Sequence, residues 1–66
     1  MSWNYRVVQR VDVFAIHEVY YDAAGQPEAV TVDAMTPDGT TLEELRATLE
    51  RFQEALNEPV LQYEDF

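Results

Sequence analysis

His17 is the one histidine of this 66-residue chain, and Glu18 beside it completes the one adjacent imidazole–carboxylate pair. Such a pair does general acid–base chemistry when both groups converge on one substrate atom. The residues around it, Val13 to Tyr21, are largely β-branched or aromatic and read as a strand. Neighbours on a strand point to opposite faces, so His17 and Glu18 are poorly placed to act as a dyad. A metal centre would need further ligands drawn together. One histidine and no cysteine lack the spacing of a zinc site, and Asp33, Asp38 and the later acids form no EF-hand loop. A phosphate cradle is equally unsupported, because the two glycines form no glycine-rich loop and the chain has no lysine. The expectation is therefore no catalytic residue, no metal ligand and no cofactor, and a chain that is not an enzyme.

What remains chemically distinctive is charge and aromaticity. Thirteen acids oppose four arginines, a formal charge of −9, and residues 38–66 hold eight of those acids against two arginines. A field of that sign repels nucleic acid and anionic lipid and attracts a basic protein. Tyr5, Tyr20, Tyr21 and Tyr63 could stack on bases, but the arginines make no compact basic patch. Aromatic side chains too numerous for so small a core serve better as anchors of a protein contact. Tyr20, Tyr21, Tyr63 and Phe66, with Glu43, Glu50 and Glu54, are accordingly the candidate protein interface. The expected partner is a basic protein or a second copy of the chain, with no direct nucleic-acid or membrane contact.

These residues must be positioned by one small domain, residues 1–66. No apolar run approaches the ~20 residues of a membrane span, and the start, Met1 to Arg6, lacks the cationic-then-apolar order of a signal peptide. A cytoplasmic location is the expectation. Tyr5 to Gln9 reads as a first strand, with the chain reversing at Val11-Asp12 although Gly and Asn are missing there. Val13 to Tyr21 is the second strand. Both of its faces are substantially apolar, which predicts a central place in the sheet. Asp22 to Pro27 supplies a turn, with Gly25 suited to positive φ, and Glu28 to Met35 reads as the third strand.

Thr36-Pro37-Asp38-Gly39 then redirects the chain toward Thr41, a preferred N-cap. Its hydroxyl is expected to accept from the Glu44 amide, and the Glu44 carboxylate to return a bond to the Thr41 amide. At ~100° per residue, Leu42, Leu45, Leu49, Phe52 and Leu56 fall on one stripe, which predicts the buried side of the helix. Asn57 is suited to a left-handed cap, and Pro59 discourages continuation. Val60 to Phe66 alternates roughly and is expected to add a short edge strand. The predicted fold is α+β: a three-stranded antiparallel sheet packed on one C-terminal helix, with a fourth strand in the order β-β-β-α-β.

That order, together with Thr41-Leu42-Glu43-Glu44-Leu45 and the following Leu49, Phe52 and Leu56, resembles the small domain of HicB-type antitoxins across residues 5–56. The resemblance implies a partial RNase-H-like β-β-β-α-β domain that binds a small cationic toxin RNase. The runs Asn4 to Val8 and Ile16 to Asp22 are similar to those of a small uncharacterised bacterial protein family, which implies a bacterial source. Three functional classes follow. The first is an acidic protein-interaction module, and the second an antitoxin-like or nucleic-acid-mimicking inhibitor that presents Glu43, Glu50 and Glu54 to a basic site. The third, an enzyme or metal protein, requires His17 to meet several carboxylates.

Overall fold

Nine-residue strands β1 (Ser2–Arg10) and β2 (Val13–Tyr21) pair antiparallel along their whole length, Ser2 opposite Tyr21 and Arg10 opposite Val13. The computed structural model describes residues 2–66. β1 is longer than the Tyr5–Gln9 run suggests, because Trp3 and Asn4 continue the ladder opposite Tyr20 and Val19. Only Val11 and Asp12 connect the two strands. Val11 takes φ 59°, the positive value that a two-residue hairpin requires at its first loop position.

Asp22 organises the next reversal. Its Oδ1 accepts from the amides of Ala24 and Gln26, both at 2.9 Å, while Gly25 adopts φ 80°. β3 (Pro27–Val30) then pairs antiparallel with β2, with a register irregularity between Tyr20 and Tyr21. It is shorter than the expected Glu28–Met35. Thr31 ends its regular pairing: the Thr31 hydroxyl accepts from the Glu18 amide at 3.3 Å and the Thr31 carbonyl is bonded to the His17 ring. The chain bows outward, leaving Val32 exposed, and returns when the Met35 amide reaches the Ile16 carbonyl at 2.8 Å.

Helix α1 (Leu42–Ala55) begins as its cap residue dictates: the Thr41 hydroxyl accepts from the Glu44 amide at 3.1 Å. The Glu44 carboxylate goes one residue further back than expected. It accepts from the Thr40 amide at 3.0 Å and the Thr40 hydroxyl at 2.8 Å, so its reach is taken up before Thr41. Gly39 is required by proximity, since a Cβ there would lie 2.7 Å from the Leu45 amide nitrogen. At the other end the helix does not use a left-handed Asn57. Leu56 stays right-handed, and the amides of Leu56, Asn57 and Glu58 bond three residues back before Pro59 stops the turn.

β4 (Leu61–Gln62) follows, parallel to β1, with Val8 opposite Leu61. A single 3₁₀ turn, Tyr63–Asp65, closes the fold. The sheet is mixed, in the order β3-β2-β1-β4, and the expected β-β-β-α-β architecture is observed. β2 lies inside it, as its two apolar faces predict. Val7, Val8, Val19 and Ala55 form the buried apolar core, with His17 buried among them.

Candidate interaction surface

Register decides which side chains share a face. Tyr5 opposes Glu18 and Val7 opposes Ile16, so Trp3, Tyr5 and Val7 stand on the same side as Tyr20, Glu18 and Ile16. The helix lies over this side. Phe52 meets Tyr5 at 4.8 Å between ring centroids and 68° between planes, and Tyr5 meets Trp3 at 5.2 Å and 82°, an edge-to-face chain of three rings.

The other side carries Arg6, Val8, Arg10, His17, Val19 and Tyr21, and the C-terminal segment covers part of it. The Arg10 guanidinium carbon sits 4.2 Å from the centre of the Tyr63 ring, with the His17 ring 6.0 Å from the same tyrosine. Arg6 donates to the Tyr21 hydroxyl at 3.0 Å and to the Pro59 carbonyl at 2.8 Å, while its buried Nε has no partner. Tyr21 donates onward to Asn4 Oδ1 at 2.6 Å. Arginines of a strongly acidic chain are here spent on carbonyls and phenols, holding the C-terminal segment to the sheet.

His17 is 3% exposed, and its Nδ1 lies 3.0 Å from the Thr31 carbonyl oxygen. A carbonyl only accepts, so this nitrogen carries the proton. Glu18 points to the opposite face, where its carboxylate accepts from the Tyr20 hydroxyl. Among the described residues no group of three or more His, Asp and Glu side chains converges to hold a metal ion. The geometry gives His17 a structural task.

The interface candidates fall into two sets. Tyr20, Tyr21 and Tyr63 are half-buried and engaged within the fold, and Phe66 is partly exposed at the end of the 3₁₀ turn. Glu43, Glu50 and Glu54 are exposed on the helix. Glu43 and Glu50, seven residues apart, share a row, while Glu54 lies further round and lines an open groove with Trp3, Tyr5, Arg51 and Glu58.

The leucine stripe is where the structure departs most from sequence expectation. Leu42 is 66% exposed, Leu49 47% and Leu56 68%, whereas Leu45, Phe52 and Ala55 are the better-covered apolar positions and Thr48 donates to the Asp38 carbonyl at 3.3 Å. The helix is rotated by about a sixth of a turn from the expected orientation. Small Ala55 lets the helix approach the sheet closely, and Phe52 locks onto Tyr5, so the outer leucines project sideways as a ridge. The signal for this is Ala55, a small residue beside the stripe.

A second apolar group stands at the hairpin end, where Val11, Val13 and Phe14 are exposed; Val32, on the bowed segment held by Arg10, is exposed too. No helix of the described residues is long and apolar enough to cross a membrane. No family model, curated protein or solved structure matches the chain.

Proposed function

We propose that this chain is a non-enzymatic, acidic protein-interaction module that docks through its helix. The observation that carries this reading is the exposed ridge of Leu42, Leu49 and Leu56, with Glu43 and Glu50 on its outer shoulder. Three leucines held in water on an ordered helix are unfavourable unless a partner removes them from it. The acids beside them, in a chain of charge −9, select a partner whose apolar groove is rimmed by lysine or arginine. Leucines supply the affinity, and carboxylates the choice of partner and the rate of encounter.

The test is capture on the immobilised chain at increasing salt, compared with a Leu49→Glu variant and a Glu43→Arg/Glu50→Arg double variant. The specific partner should be released as salt rises and lost from both variants. Capture that both variants retain in full would overturn the reading.

A second reading, an antitoxin-like or nucleic-acid-mimicking inhibitor, is supported by the β-β-β-α-β order and by the exposure of Glu43, Glu50 and Glu54. Under it, the captured protein would be a basic nuclease, and nucleic acid would compete for the same surface.

A further inference from the structure

Resting on the reading of the helix as a docking element, we infer that its leucine ridge takes a second copy of this chain, paired antiparallel about a two-fold axis at Leu49.

Surface area is the first argument. A folded monomer of 7.6 kDa is expected to expose about 4,300 Å², whereas this chain exposes 4803 Å². The surplus is about 500 Å² over the whole surface, and the three ridge leucines, 47–68% exposed, are among the apolar residues that contribute to it. With so few side chains fully buried, the monomer leaves unused the apolar area that its small core lacks.

Spacing is the second. Leu49 lies seven residues from both Leu42 and Leu56, at the middle of α1. An antiparallel pairing centred on it sets Leu49 against its own copy and Leu42 against Leu56 of the second copy, twice by symmetry. The ridge is thus its own complement, as an isologous interface requires. Leu45 and Phe52 stay turned toward the sheet, so the pairing rests on the three leucines of the ridge.

Local charge is the third. In this arrangement equal shoulders meet. The shoulder turned away from each sheet carries Arg46 and Gln53 nearest the leucines, then Glu43 and Glu50. Arg46 of one copy falls within about a half-turn of Glu50 of the second copy, and beside its Gln53, so the seam joins opposite charges at two places. Elsewhere two copies of charge −9 repel each other. Salt screens that repulsion, so self-pairing strengthens as salt rises, whereas docking of a basic protein weakens.

Sedimentation of the full chain in low and high salt tests the proposal. At about 100 µM a helix pair with a Kd of ~10 µM is mostly associated. The expected result is a species of twice the chain mass, tightened by salt, and a monomer for Leu49→Glu with unchanged circular dichroism. Because the chain has no native cysteine, oxidation offers a second measurement that does not depend on the tolerance of a buried charge. Leu49→Cys should cross-link two chains, and Glu54→Cys, across the helix, should not. A wild type that stays monomeric at high salt, or equal cross-linking by both cysteine variants, would overturn self-pairing. A monomer that captures a basic partner through Leu49 removes self-pairing alone. A ridge-dependent dimer whose Leu49→Glu and charge-reversal variants retain all capture removes the basic-partner reading alone.

Discussion

Phe52 stands edge-on against Tyr5, 4.8 Å between ring centres, and this contact sets the rotation of α1 about its own axis. With Phe52 and Ala55 turned inward, Leu42, Leu49 and Leu56 are carried to the side. The same relationship explains how a five-residue apolar stripe is divided, part facing the sheet and part facing water.

Substitutions should follow this division. Phe52→Ala removes a half-buried ring and its aromatic partner and should cost about 2–3 kcal/mol, while Leu42→Ala should cost under about 1 kcal/mol in dilute protein. Urea midpoints measured at low concentration decide it. Equal losses at the two positions would place the leucine ridge in the core after all.

The start of the helix should show a pH signature. Hydrogen bonds from the Thr40 amide and then the Thr40 hydroxyl hold the Glu44 carboxyl below its ordinary value of 4.5. A lowered carboxyl stabilises the fold above its ordinary value, and that contribution is lost as pH falls through the lowered one. The stability gap between wild type and Glu44→Gln should thus narrow from pH 7 toward pH 3. Thr41→Ala, which removes the cap itself, should cost about 1 kcal/mol at both ends of that range. Chemical unfolding across the series measures both, and a Glu44 gap independent of pH would contradict the Thr40 contact.

Tyr20 offers the opposite sign. Its hydroxyl donates to the Glu18 carboxylate, and this bond first, with desolvation and the nearby negative charge, raises its pKa above the ordinary 10.0. The contribution is complete below the ordinary tyrosine value and lost as pH rises through the raised one. In ultraviolet titration, the component abolished by Tyr20→Phe should ionise late, and Glu18→Ala should bring it earlier. No movement on removing Glu18 would show that the bond does not persist in solution.

Two turns should respond in contrary directions to the same residue type. Val11, 90% exposed, sits at φ 59°, where a β-branched side chain is strained by about 1–2 kcal/mol. Val11→Gly should therefore stabilise by about 0.5–1 kcal/mol after the flexibility glycine adds to the unfolded chain. Gly39→Ala forces a Cβ onto the first helical turn and should cost about 1–3 kcal/mol. Thermal melts of the pair would expose a mistaken turn if Val11→Gly lowered the midpoint.

Much of the architecture was legible before folding because it is written locally. Thr41 caps, Pro59 stops, Gly25 turns, and the β-branched and aromatic run Val13 to Tyr21 marks a strand; each acts through its own backbone or its immediate neighbours. The Glu28–Met35 run predicts a longer strand than β3 because Thr31 diverts regular pairing to its own hydroxyl and carbonyl, a choice made across strands. Charge alone points to Glu43, Glu50 and Glu54 as interface candidates, while periodicity places the leucines beside them in the core, where Leu42, Leu49 and Leu56 do not lie.

Hydrophobic periodicity alone determined that the segment after Gly39 is an amphipathic helix packed on a sheet, since an apolar row at helical spacing has to leave water. It did not determine which part of the row would succeed. The row spans only about 80° of the helix, so its width is not what divides it; the fit of Phe52 against Tyr5 and the burial of Ala55 beside the row made the selection. Tertiary packing alone decided that Leu42, Leu49 and Leu56 remain outside.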